Sequence, residues 1–302
     1  MVTRSRALTL AATAAGLALL VTAVGLTSNA HAAFPGSNGR LAFSAPGIVA
    51  TVDQQLGDYH RLGDSSHCDA ECQMRTPDWS PDGHRVVWAN EGEDAYRVMI
   101  ADADGARRHV VFRGGLITAT AWSPDGHHIA FVRYRWPRSA PDYRSDIWVM
   151  RANGTHLRQV TDTPRISEDE VDWSSRGLLV FRASVGRFAT HHYELYTMRP
   201  DGTRLRRLTD NSVPDRHPEW SPDGGHLLFV RDGAVWRMGA RGRHTTRLGL
   251  GNSPAWSPDG AHIAFVYGGK ILTMTADGGE RTVLGNPSPN GDVQDLDWQP
   301  VP

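Results

Sequence analysis

Short runs of four to six alternating apolar and polar residues fill most of this chain, and each run stops at a turn. In the stretch Asp146-Ile147-Trp148-Val149-Met150, Asn153-Gly154, Leu157-Arg158-Gln159-Val160-Thr161, the alternation on both sides of Asn-Gly predicts a β-hairpin. Matching turns stand at Asp104-Gly105, Asp201-Gly202, Arg241-Gly242 and Asp277-Gly278, each after a strand-like run such as residues 194–198 or 271–274. No helical periodicity follows residue 32, and no linker rich in Pro, Gly or Ser marks a second domain.

A second punctuation repeats with the first. Trp122-Ser123-Pro124-Asp125-Gly126 recurs with the same five residues at Trp79, Trp220 and Trp256, and in a worn copy at Trp173-Ser174-Ser175-Arg176-Gly177. Proline presets φ at the second turn position and Gly takes the left-handed one, so the motif predicts a tight hairpin corner. Trp298-Gln299-Pro300 begins the motif at the C-terminus, while residues 34–43 supply the strand that would follow it. The anchors 34, 79, 122, 173, 220, 256 and 298 are 36 to 51 residues apart, a period that suits four short strands. An all-β, six-bladed propeller of four-stranded antiparallel blades is therefore expected, with N- and C-terminal strands sharing one blade. Closing the ring this way leaves no sheet edge exposed, whereas an open array would leave two.

These repeats resemble the TolB-type six-bladed propeller built from WD40-like Trp-Ser-Pro-Asp-Gly units, over residues 34–302. Similar blades serve in TolB, in propellers attached to prolyl-peptidase-like hydrolases and in some lyases. The sequence shows neither the α/β domain of TolB nor a hydrolase domain. The resemblance implies a module that binds a protein or peptide.

Composition places the chain outside the cell. Arg4 and Arg6, the apolar residues 7–26 and Ala30-His31-Ala32 read as a Sec signal peptide over residues 1–32, with a retained anchor as the alternative. Residues 33–302 then form the propeller domain, a secreted or periplasmic monomer with no stable membrane insertion after cleavage. Loss of two arginines takes the formal charge from −1 to −3, which speaks against a nucleic-acid partner. Cys68 and Cys72 lie in a polar stretch, and outside the cell such a pair predicts a small-loop disulfide rather than a metal site.

Chemistry is expected on the face opposite the uniform turns, where the connections are long. Tyr134, Trp136, Arg138 and Tyr143 in one loop, with Arg187, Phe188 and His191 in its neighbour, combine aromatics and arginine, the residue types that most often anchor recognition. Of opposite sign are Glu168, Asp169, Glu170 and Asp172, then Asp215, His217 and Glu219, then Asp292, Asp295 and Asp297. Several of these should reach the mouth of the central channel. An acidic funnel could hold a cation, a basic peptide terminus or a sugar, or stand as a solvated channel. His84, His127, His128, His226 and His262 fall in different blades and should not share a metal. No nucleophile-elbow, zincin or phosphate-loop motif occurs, and no cofactor is expected. The alternative function is a propeller lyase or hydrolase acting on a carbohydrate or lactone with funnel acids and histidines.

Overall fold

The computed structural model describes residues 34–64, 74–91, 95–135, 144–163, 166–185, 193–289 and 291–301. The expected signal peptide and the Cys68–Cys72 pair lie outside them. Strands form six separate four-stranded antiparallel sheets, and no helix occurs among the described residues.

Blade 1 takes its inner strand from the C-terminus, Asp295–Val301, followed outward by Ser37–Ala45, Ile48–Val52 and Tyr59–Asp64. The remaining blades begin with the inner strands Met74–Trp79, Ile117–Trp122, Ile166–Trp173, Asp215–Trp220 and Asn252–Trp256. Ring closure is thus the expected one, with Leu41 paired to Trp298 and Phe43 to Leu296. Neighbouring blades meet through apolar side chains. Trp79, Trp122 and Trp220 are at most 1% exposed, as are Phe43, Phe131, Phe181, Phe229 and Phe265 on the second strands. Each such phenylalanine removes enough apolar surface from water to contribute roughly 3 kcal/mol.

The corner motif folds as its residue types require. Gly83 N–H donates to Ser80 O at 2.8 Å, Ser80 Oγ donates to Asp82 Oδ1 at 2.5 Å, and Arg85 N–H returns to Ser80 Oγ at 2.9 Å. In the worn copy Ser174 Oγ accepts from Arg176 N–H and Leu178 N–H at 3.2 and 3.0 Å, so serine alone sustains the turn. Gly83 has φ +67°, and a Cβ there would stand 2.0 Å from Pro300 O. Only glycine satisfies both the left-handed backbone and the approach of the closing strand.

Candidate site at the axial channel

Inner strands place their last residues around the axis. At the position before the motif tryptophan stand Asp78, Ala121, Asp172, Glu219, Ala255 and Asp297. The four carboxylates accept the backbone N–H of all six motif tryptophans. Asp297 accepts from Trp79 at 2.6 Å, Asp78 from Trp122 at 2.5 Å, Asp172 from Trp220 at 2.7 Å and Glu219 from Trp256 at 2.7 Å, each across a blade boundary. Where the preceding blade offers alanine, the same-blade acid serves instead: Asp172 takes Trp173 N–H at 2.6 Å and Asp297 takes Trp298 N–H at 2.8 Å. Asp172 and Asp297 therefore use both oxygens, and Asp78 and Glu219 use one each.

Enclosure makes these charges costly. Burial pushes the Asp172 carboxyl up to about 6 and the Asp297 carboxyl up to about 7, against the N–H bonds that favour ionisation. Burial and then the charges of Asp297 and Asp172 push Asp78 and Glu219 well above the ordinary carboxylate range.

Three residues before each tryptophan lies a second tier, nearer the long connections. Thr76, Glu170, His217 and Ser253 all adopt left-handed backbone, with φ between 43° and 48°, at the point where each inner strand slips register against its neighbour. Such strain in non-glycine residues is held only by a surrounding structure that fixes it. Here the holding bonds run between blades: His217 N–H donates to Glu170 Oε2 at 2.6 Å, and Thr76 N–H to Asp295 Oδ2 at 3.1 Å. The two tiers line a cavity of about 100 Å³. That volume holds a few waters or one side-chain tip.

The structure gathers only part of the expected funnel. Glu170, Asp172, His217, Glu219, Asp295 and Asp297 line the cavity. Asp169 stands beside it, accepting from Thr118 Oγ1 at 2.9 Å and from the Arg182 guanidinium, which also meets Glu170 at 3.4 Å. Glu168 is buried and accepts from Thr163 Oγ1 at 3.0 Å, and burial pushes its carboxyl up to about 8. Asp215 is fully buried in a two-pronged pair with Arg231, at 2.6 and 2.8 Å. Asp292 is exposed and outside the lining. Glu168, Asp215 and Asp292 are thus outside the channel lining: strict alternation would put the first two on the face of Glu170 and His217, but the register shifts between Asp169 and Val171 and between Arg216 and Glu219 reverse it.

Of the rim residues, Tyr134 is half-buried, and burial followed by the nearby Asp169 charge raises its hydroxyl pKa. Trp136, Arg138, Tyr143, Arg187, Phe188 and His191 lie outside the described residues. Sequence reasoning overlooked Asp78, Thr76, Ser253 and Arg182. Aligning the repeats on their tryptophans would have found the first three. No group of three or more His, Cys, Asp or Glu among the described residues is arranged to hold a metal ion.

Comparison with known proteins places this architecture. Solved structures with the same fold include TolB from Acinetobacter baumannii (TM-score 0.70, 19% identity, 87% of this chain and 67% of that one). A chain of a nidogen/laminin complex matches at TM-score 0.70 with 14% identity, covering 86% and 98% of the two chains. An oligogalacturonate lyase in complex with manganese matches at TM-score 0.53 with 14% identity, covering 79% and 70%. No curated protein sequence matches. The TolB β-propeller domain family matches residues 90–291, two thirds of the sequence, so this chain belongs to that family.

Proposed function

We propose that the propeller is a secreted or periplasmic, non-catalytic module that binds a protein or peptide on its long-loop face, around the acidic channel mouth. The observation that carries this reading is the bonding of the channel floor. Six of the eight carboxylate oxygens there already accept tryptophan N–H groups, so the axial acids hold blades together. A general acid or base must instead be able to exchange its proton with a substrate. What stays accessible is the second tier, Glu170, His217 and Asp295, with Tyr134 and Arg182 beside it. A narrow acidic mouth suits one basic side chain or an amino terminus at the tip of a partner. Family membership and the TolB and nidogen/laminin likenesses are in keeping with a binding role.

The test is affinity capture from culture supernatant with the purified propeller, beside a Glu170→Gln/Asp295→Asn variant of unchanged melting temperature and a Trp136→Ala/Arg138→Ala loop variant. Loss of the same captured partner in both variants is expected. Truncated recognition anchors typically cost about 2 kcal/mol, or some thirtyfold in affinity. Turnover of an oligogalacturonate or a lactone by the wild type, lost in His217→Ala, would replace this reading with the enzymatic one.

A further inference from the structure

The opposite face, made of tight turns, carries a charge pattern that the binding reading does not use. After the third strand of blades 2 to 6 the chain closes the same turn, for example with Gly154 N–H on Arg151 O at 2.8 Å and Gly202 N–H on Arg199 O at 2.9 Å. Two residues beyond each turn glycine the backbone is left-handed again, at Arg107, His156, Arg204, His244 and Glu280. One fixed position therefore presents Arg, His, Arg and His in four successive blades, all exposed. Hydrogen bonds make blades 3 to 5 one continuous surface: the Arg158 guanidinium donates to Pro200 O at 2.8 Å, and that of Arg206 to Arg241 O at 3.0 Å. Arg204, Arg241 and Arg243 are exposed and form no ion pair among the described residues. Beside these basic side chains stand two exposed large apolar ones, Leu157 at 40% in His156-Leu157-Arg158 and Leu205 at 50% in Arg204-Leu205-Arg206.

We propose that this face docks on an anionic lipid bilayer, the turns of blades 3 to 5 setting arginines among the headgroups and Leu157 and Leu205 into the acyl boundary. Turns at equivalent positions of adjacent blades share one face of the ring, which gives the bilayer a continuous surface to meet. Leucines flanked by cations suit an interface that is charged outside and apolar beneath. Chain direction adds an independent argument. The N-terminal segment joins the propeller on this side, where Gly36 N–H donates to Pro258 O at 3.3 Å and Asn38 Nδ2 to Asp259 Oδ2 at 2.9 Å, both acceptors lying in a corner turn. The eight steps from Leu26, the end of the apolar run, to Phe34 span at most about 28 Å. While that run is attached and in a membrane, the edge of the tight-turn face stays within about 28 Å of the lipid.

The ring closes within residues 34–301, so the propeller without residues 1–32 is the material to use. Co-sedimentation with vesicles of 30% phosphatidylglycerol in phosphatidylcholine, at low salt, should pull it down, and pure phosphatidylcholine should not. Release is expected near 0.5 M salt, where screening is short-ranged. Arg204→Glu/Arg241→Glu/Arg243→Glu should lower partitioning by roughly a hundredfold or more, since each basic residue near an anionic surface is worth about fivefold. Glu280 shows that the left-handed position accepts glutamate. Leu157→Ser/Leu205→Ser should lower partitioning about tenfold at every salt concentration. Binding that ignores lipid charge, or no binding at all, overturns the proposal. So does a leucine variant that binds like wild type while soluble polyphosphate strips the protein from vesicles, because the face would then read a polyanion rather than a bilayer. If the triple variant misfolds, the lipid-charge comparison and the leucine pair still decide.

Discussion

Two kinds of blade junction coexist in the ring. At four of them, from blade 1 to 2, 2 to 3, 4 to 5 and 5 to 6, a carboxylate of one blade accepts the tryptophan N–H of the next. At the other two, from blade 3 to 4 and 6 to 1, alanine stands in the carboxylate's place and nothing polar crosses at that level. The apolar contacts are unevenly spread as well. Among the described residues, 13 buried side chains form the cluster between blades 6 and 1, against six between blades 4 and 5. At the junction of blades 3 and 4 the cluster continues unbroken from blade 2, and Ser145 Oγ adds a bond to Glu168 O. Polar bridging and burial thus hold one blade to the next in different mixtures: the bridged junction of blades 2 and 3 shares the largest apolar cluster, and Thr118 to Asp169 and Ser253 to Gln294 O add polar bonds where alanine replaces the acid.

The largest effect is expected in blade 1, whose inner strand carries both Asp297, the bridge to blade 2, and Leu296 and Trp298, buried against blade 6. Deleting residues 292–302 removes Leu296 and Trp298 and uncovers the edge of Ser37–Ala45, so a melting temperature at least 20 °C lower, or no folded protein, is expected. A deletion variant melting within a few degrees of the parent would show that the ring does not need its last strand.

Next in size are the bridging acids. Asp172→Ala strands two buried N–H groups and Asp78→Ala only one. At about 1–3 kcal/mol per unsatisfied donor, the first should cost about twice the second in denaturant unfolding. Equal losses would mean that the carboxylates act through charge rather than through the bonds counted above.

Smaller again is the contrast between two turn glycines. At Gly83→Ala a Cβ meets Pro300 O, whereas at Gly177 (φ +73°) it meets nothing within 4 Å. Only the left-handed strain, about 1 kcal/mol, should appear at Gly177, and two to three times that at Gly83. Calorimetry of the two variants separates strain from collision.

The mildest effect is on pH dependence. The folded state raises the Asp172 and Asp297 carboxyls to about 6 and 7, so it binds protons more tightly than the unfolded chain does. Their contribution is fully present below the unfolded value near 4 and is lost as pH rises through 6 to 7. A melting temperature that falls by about 5 °C from pH 5 to pH 8, and a flatter profile in Asp172→Asn, are the expected results. A flat profile from pH 5 to pH 8 would mean that these groups are already ionised in the fold, as they are in the unfolded chain.

The blade count and ring closure were legible because turn chemistry is local: Pro, Asp and Gly write a corner within five residues, and four such corners, a worn fifth and a motif split between the two ends imply six blades. The floor of the channel was not, because its bonds join residues such as Asp78 and Trp122, 44 positions apart, that meet only when blades stack. Reading acids by their place shortly before a tryptophan favoured Glu168 and Asp215, whose side chains turn from the axis. Reading them by place in the repeat would have favoured Asp78. Left-handed backbone at Thr76, Glu170, His217 and Ser253 leaves no signature, since none is glycine or asparagine.

Trp298 Nε1 donates to Gly39 O across 259 positions of sequence. Local hairpins form in microseconds, but a pairing this remote must bring the two ends of the propeller together before any of its contacts form. Five blades can therefore be complete while the sixth is still divided, so the slowest folding phase should be the meeting of these two strands. Joining the termini and cutting the chain between blades, at residues 250–252, would make the split blade contiguous and move that slow phase to a different pair of strands.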